Sequence, residues 1–268
     1  MKYTLVTGAS GGIGEAVVRK LAARKHNLIL VARNAEKLAE ISKQLQDQYG
    51  VRVHYIAVDL SRPDAASQIF QETQNQKWEI DLLVNNAGIG SGGEFATLSL
   101  QSELDLLQLN NASLVAMTHL FLQPMRVRKN GTIINVASMA SFIPVPYMAT
   151  YAASKAFVRS FTEALTEECK PYDVHVMLFA PGLTKTNFNE SAGINNEKGI
   201  GLSSDYQTSS TQTPEEVADE LLKALDAKKH FHVSGSKNRL GARLAALLPN
   251  TIITRFMGGS YRKKSGQF

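Results

Sequence analysis

The sequence predicts an α/β fold built on a doubly wound parallel sheet. Seven short runs rich in Val, Ile and Leu recur along the chain, several of them continuously apolar, as strands covered on both faces require. Stretches with helical periodicity separate most of them, and such alternation with right-handed crossovers gives parallel strands with helices on both faces. No repeat or low-complexity linker divides the 268 residues, so a single domain is expected over 1–268.

Strands are predicted at 2–7 (KYTLVT), 27–32 (NLILVA), 51–58 (VRVHYIAV), 81–86 (DLLVNN), 131–137 (GTIINVA), 174–180 (VHVMLFA) and 231–234 (FHVS). Helices are predicted near 12–24, 34–49, 62–77, 101–129, 151–169 and 214–229. Asn34 and Ser61 suit N-caps. Thr213-Pro214-Glu215-Glu216 combines a capping box with proline at the first helical position. The polar, glycine-bearing segment 189–213 is too long for a simple connection and is expected to be a substrate lid.

Composition removes several classes of protein. With 44% hydrophobic and 20% charged residues the chain lies in the globular range, and one cysteine, Cys169, excludes an internal disulfide. Met1 to Val6 runs straight into a strand without the apolar region of a cleaved signal, and no apolar run reaches a membrane span. A cytoplasmic protein is expected. The net charge is +5, yet residues 235–268 hold seven basic and no acidic side chains, leaving the remainder slightly acidic. The body lacks the basic docking face with stacking aromatics that nucleic acid would need.

Chemistry enters at Thr7-Gly8-Ala9-Ser10-Gly11-Gly12-Ile13-Gly14, between the first strand and the first helix. Glycines there permit a tight turn and let backbone amides approach a pyrophosphate at the helix N-terminus. The spacing is neither GxGxxG nor a P-loop. The second strand ends at Ala32-Arg33, about 20 residues beyond the turn. An acid at that place bonds a ribose 2′-hydroxyl, whereas arginine suits a 2′-phosphate, so Arg33 points to NADP(H) rather than NAD(H), with Glu36 near enough to compete for it. Asp59-Leu60 follows the third strand and Asn85-Asn86-Ala87-Gly88 the fourth, before Asn110, Ser138 and Tyr151-Ala152-Ala153-Ser154-Lys155. Tyr151 and Lys155 stand at i and i+4, on one helix face. An ammonium beside a phenol stabilises its phenolate and eases proton transfer near neutrality.

These motifs, in this order, resemble the single-domain branch of the short-chain dehydrogenase/reductase family over residues 1 to about 235. The resemblance implies a Rossmann-type seven-stranded sheet in the order 3-2-1-4-5-6-7; beyond it the chain adds some 30 residues, expected to form a C-terminal helical extension. It implies a catalytic tetrad in which Tyr151 is the general acid/base, Ser138 orients and polarises the carbonyl, and Asn110 positions a water in the proton relay. Lys155 would hold the nicotinamide ribose and lower the tyrosine pKa. Cofactor contacts are expected from Gly8, Ser10, Gly12, Ile13, Gly14, Arg33, Asp59, Leu60, Asn86, Ala87, Gly88, Tyr151 and Lys155, together with Pro181, Gly182 and Thr184. Hydride transfer between NADP(H) and a carbonyl or secondary alcohol follows, in a homodimer or homotetramer.

Other readings stay open on the residues alone. A catalytically silent dinucleotide-binding regulator or scaffold would share the fold, although such relatives typically lack the Tyr or Lys. Sugar-nucleotide epimerases share Tyr-x-x-x-Lys but carry a long C-terminal substrate domain. Of six histidines only His230 and His232 are close, and no third metal ligand accompanies them. The apolar stretch Met139 to Met148, with Leu183 and Phe188, suggests a hydrophobic pocket for a lipophilic ketone, aldehyde or 3-oxoacyl group, and NADP(H) would favour reduction. In the tail, 238–248 reads as an amphipathic helix stopped by Pro249, with Leu240, Leu244 and Leu247 in a row. Thr251 to Met257 reads as a second, ended by Gly258-Gly259. These faces would pack on the body or a partner subunit, or touch an anionic membrane.

Overall fold

The computed structural model describes residues 1–186, 188, 211–245 and 247–264. Seven parallel strands form one sheet: β1 (Lys2–Thr7), β2 (Leu28–Ala32), β3 (Val53–Ala57), β4 (Glu79–Asn85), β5 (Gly131–Val136), β6 (Val174–Ala180) and β7 (Phe231–Val233). Their order is β3-β2-β1-β4-β5-β6-β7, as expected. Adjacent side chains along each strand enter opposite cores, which explains the unbroken apolar runs. Val6, Leu30, Val84, Ile134 and Met177 face the layer of α1 (Gly12–Ala23), α2 (Ala35–Tyr49) and α7 (Pro214–Asp226). Leu5, Ile29, Leu83, Ile133 and Val176 face that of α3 (Ala65–Asn75), α5 (Ser113–Arg128) and α6 (Ala149–Cys169). The strand order reverses between β1 and β4, and the crevice beyond the carboxyl ends of the strands at such a switch point is where ligands bind in open α/β sheets.

The caps divide. Asn34 Oδ1 accepts from Lys37 N at 2.9 Å, and Thr213 with Glu216 completes the capping box. Ser61 is not a cap. It donates to Asp59 Oδ1 at 2.8 Å, and α3 opens three residues beyond the expected start, after Asp64. The long helix expected at 101–129 is α4 (Leu100–Leu107), a π-helical turn over Gln108–Ala112, and then α5.

Two helices complete the described chain: α8 (Ser236–Ala245) and α9 (Asn250–Lys264). The first ends before the predicted limit. The second runs through Gly258 and Gly259 rather than stopping there, because the first of these glycines is buried against Pro146 and helix packing outweighs glycine's roughly 1 kcal/mol helix penalty. At the junction, Glu220 accepts from His232 at 3.0 Å, Gly235 N at 3.0 Å and Arg239 at 2.9 Å, tying β7 and the start of α8 to α7. His230 bonds instead to Val176 O at 3.1 Å, so the two histidines serve structural contacts. No helix of the described residues is long and apolar enough to cross a membrane. Most of the lid expected at 189–213 lies outside the described residues. Its end is anchored where Gln212 pairs with Leu183 and Lys185 beside Thr184.

Candidate active site

The turn after β1 is shaped by glycines whose backbones other side chains would obstruct. Gly8 sits at φ +67° and Gly12 at φ +53°, in the left-handed region. A Cβ at Gly14 would stand 2.1 Å from Gly8 O, so this glycine lets α1 close against the turn. No side chain caps the N-terminus of α1, leaving its first amides to an anionic group. The turn is held from behind: Thr7 Oγ1 accepts from Asn86 N at 2.9 Å and Ala87 N at 3.0 Å, and Asn86 Nδ2 donates to Thr7 O at 3.0 Å. One hydroxyl and one carboxamide thus lock the ends of β1 and β4 together.

Ser138 lies two residues past β5, and Tyr151 and Lys155 occupy the first two turns of α6. Burial pushes the Tyr151 phenol up, and its hydrogen bond with Ser138 opposes the shift. A protonated phenol with a hydroxyl partner is thereby maintained at neutral pH. Lys155 is driven down to about 8 by burial and donates to Val136 O at 3.1 Å. Burial and the Ser138 hydroxyl are the influences that act on the Tyr151 phenol here.

Asn110 is held in the π turn, where the wider backbone shifts the phase of the side chains that follow. Its Oδ1 accepts from Ile89 N at 2.9 Å, and its Nδ2 donates to Ile89 O at 2.9 Å and Ser154 Oγ at 3.1 Å. Ser154 Oγ in turn donates to Tyr151 O at 2.7 Å. Asn110 is 1% exposed and both of its amide hydrogens are used, so its side chain positions the loop after β4 against the tyrosine helix.

One cleft of about 1130 Å³ joins these parts. It is lined by Gly8, Ser10, Gly12, Ile13, Arg33, Asp59, Leu60, Asn86, Ala87 and Gly88, and by Ser138, Tyr151, Lys155, Pro181, Gly182 and Thr184. Every residue expected at the site reaches it except Gly14 and Asn110, which act from behind. Arg33 is exposed, and its guanidinium makes no hydrogen bond or ion pair with a described residue, Glu36 included. Asp59 is turned to its own loop, accepting from Ser61 N at 3.0 Å. Gly182 allows Asn238 of α8 to approach, since a Cβ there would lie 2.0 Å from Asn238 Nδ2.

Sequence reasoning missed Thr7 and Ser154 as the fasteners of the site, although both lie inside the TGASGGIG and YAASK motifs. It also missed Lys37, on the first turn of α2, and Met257, which reaches the cleft from α9. Lys37 follows Arg33 by four residues and could have been found by charge. Met257 carried no local signal. The cleft fits a nicotinamide dinucleotide: open helix amides and glycine backbone suit a pyrophosphate, and Lys155 a ribose.

A family model described as short chain dehydrogenase matches residues 2–197. Dehydrogenase/reductase SDR family member 7B of Bos taurus is 30% identical over 266 residues, covering 97% of this chain and 81% of that protein. The 3-oxoacyl-(acyl-carrier-protein) reductase of Aquifex aeolicus is 30% identical over 221 residues, 82% of this chain and 88% of that one. Among solved structures, the short-chain dehydrogenase from Sphingobium yanoikuyae in complex with NADPH superposes with a TM-score of 0.81 at 28% identity, covering 92% of each chain. Fold, site and relatives agree, and the chain belongs to the short-chain dehydrogenase family of oxidoreductases.

Proposed function

We propose that this protein is an NADPH-dependent reductase of a lipophilic ketone, aldehyde or 3-oxoacyl compound. The observation that carries the reading is a single cleft with Arg33 and the glycine turn at one end and a buried Ser138–Tyr151–Lys155 cluster at the other. NADPH, when bound, supplies the hydride. Gly8, Ser10, Gly12 and Ile13 would hold its pyrophosphate, Arg33 its 2′-phosphate, and Lys155 its nicotinamide ribose, with Asp59, Leu60, Asn86, Ala87, Gly88, Pro181, Gly182 and Thr184 lining the way. Ser138 Oγ directs the carbonyl oxygen toward Tyr151, whose phenol donates the proton that the developing alkoxide takes up. A phenol held protonated by burial suits reduction. The phenolate left behind recovers its proton from solvent, with Asn110 keeping Ile89 and the tyrosine helix in place. Ile89, Ile143, Val145, Met148, Leu183 and Met257 give the carbonyl end an apolar wall that favours a lipophilic substrate over a sugar. The 3-oxoacyl reductase among the relatives supports the same class.

The test is oxidation of NADPH and NADH with 3-oxoacyl thioesters, steroids, aromatic ketones and aldehydes. Turnover with NADPH and an apolar carbonyl is expected. Binding without turnover across the panel would return the silent regulator. Arg33→Asp removes a charge-assisted phosphate contact of about 1.5–3 kcal/mol, so it should weaken NADPH roughly 10- to 150-fold and NADH far less. A wild type that already prefers NADH would overturn the cofactor assignment.

A further inference from the structure

The tail helices leave their apolar residues uncovered. Leu240 and Leu244 of α8 are 59% and 52% exposed, Leu247 in the following turn 80%, and Ile252 and Phe256 of α9 57% and 76%. An apolar row at i, i+4, i+7 ordinarily packs inward, yet here the inward faces are different. On α8 it is Ala242 that is buried, while Arg239 is held by Glu220. On α9, Met257 and Tyr261 pack on the loop of Val145 and Met148, with the Tyr261 ring stacked 3.4 Å from that of Tyr147. Spacing places Ile252, Arg255 and Phe256 together on the opposite face.

Charge says what should cover that surface. Lys237, Arg243, Arg255 and Arg262 are exposed, and residues 235–268 contain no acidic side chain. A second copy of this chain would set two such basic faces against each other. We infer that α8 and α9 form a docking surface for an anionic lipid bilayer, with the leucines, Ile252 and Phe256 entering the interface and the basic side chains meeting the headgroups. Apolar area and basic charge cooperate in such peripheral binding. The inner side of the same helix pair borders the carbonyl end of the cleft: Met257 lines it, and Gly241 lies against Met139. Docking therefore sets the mouth of the cleft beside lipid, so a lipophilic carbonyl compound dissolved in the bilayer would enter without crossing water. This last consequence rests on the proposed reductase function. The docking itself does not.

The experiment is co-sedimentation of the full chain with phosphatidylcholine vesicles, with and without phosphatidylserine, at low and high salt. Binding to the anionic vesicles at low salt is expected, at least tenfold stronger than to neutral ones and lost at high salt. Arg243→Ala with Arg255→Ala should weaken it roughly 20- to 30-fold. Leu247→Asp with Phe256→Asp should abolish it, while unfolding temperature and NADPH binding stay at wild-type values because both side chains are exposed. Sedimentation reads lipid binding without turnover, so an inactive reductase that still binds vesicles would leave the docking surface standing. Full-length protein that ignores anionic vesicles at low salt would overturn it, as would binding that survives both double variants. So would a dimer that ignores vesicles and dissociates on Leu247→Asp with Phe256→Asp.

Discussion

The two ends of the cleft are built by different means. At the phosphate end the backbone does the shaping: Gly8 and Gly12 at positive φ, the uncapped start of α1, and Thr7 and Asn86 clasping β1 to β4. At the carbonyl end side chains do it: Ser138 after β5, Tyr151 and Lys155 buried on α6, and Met257 brought in from α9, over a hundred residues further along the chain. A backbone site tolerates little change in its glycines and leaves little choice of ligand. A side-chain site keeps its reacting groups while the walls around them vary. The contrast explains how one cleft combines a cradle shaped by backbone with a reacting end shaped by side chains.

The largest effect that sharpens this comparison is expected at Gly14. The Cβ of Gly14→Ala would stand 2.1 Å from Gly8 O, so α1 must move off the turn. NADPH affinity should fall more than 100-fold, with several kcal/mol of stability lost to overpacking. Gly11→Ala is the control, since no atom lies within 4 Å of its added Cβ, and its unfolding temperature should match the wild type. Fluorescence titration and thermal melts measure both. Equal behaviour of the two variants would break the claim that this end is held by backbone packing.

Lys155 makes the next test, because here function and stability oppose each other. Burial holds its folded pKa at about 8 against 10.5 in the unfolded chain. Between those values the unfolded state binds the extra proton, so stability rises with pH through that window and is lowest below pH 8. The full shift corresponds to something on the order of 3 kcal/mol, and the lost bond to Val136 O offsets about 1 of it in the variant. Lys155→Met should thus unfold at higher urea than wild type at pH 7, with the advantage shrinking toward pH 10.5, while turnover and NADPH binding both fall. In the wild type, kcat/KM for NADPH should decline above about pH 8 as the ammonium loses its proton. A variant less stable at pH 7 would show that the ammonium stabilises the fold.

The smallest effect concerns the anchor of the tail. Desolvation pushes the Glu220 carboxyl up, but hydrogen bonds from His232, Gly235, Arg239 and Gln212 outweigh it and hold the pKa below the usual value. Its contribution is therefore present above the unfolded pKa and lost as pH falls through the depressed one. Glu220→Ala should cost about 1–2 kcal/mol, and faster amide exchange should be confined to β7 and α8. Exchange spread across the sheet would mean that Glu220 supports the whole fold rather than the tail.

Legibility in the sequence followed the range of the interactions. The sheet was readable because strands covered on both faces are nearly continuous apolar runs, as LILVA is and VHVMLFA is apart from His175, and because turn glycines and the Tyr-x-x-x-Lys spacing are local patterns. The cap at Asn34 and the capping box at Thr213 were readable for the same reason. Ser61 misled because α3 opens only after Asp64, out of reach of a capping role, while its hydroxyl donates to Asp59 in the loop before the helix. The π turn at Gln108–Ala112 has no composition of its own; it follows from Asn110 reaching both Ile89 and Ser154. Gly258 and Gly259 predicted an end to α9 that packing against Pro146 removed. The tail's apolar row is legible as an amphipathic pattern, but which face the body takes is decided by Glu220 and Tyr147, outside the tail.

The central claim is that Tyr151 supplies the proton while the other end of the cleft grips the cofactor. Tyr151→Phe separates the two, since it deletes one hydroxyl and leaves the ring packed against Phe188. NADPH titration and NADPH oxidation should be measured on the same preparation, with the best carbonyl substrate of the panel. The account predicts affinity within a few-fold of wild type and turnover reduced by at least 100-fold at neutral pH, in keeping with general-acid contributions of about 10²–10⁴. Near-normal turnover by the phenylalanine variant would contradict it.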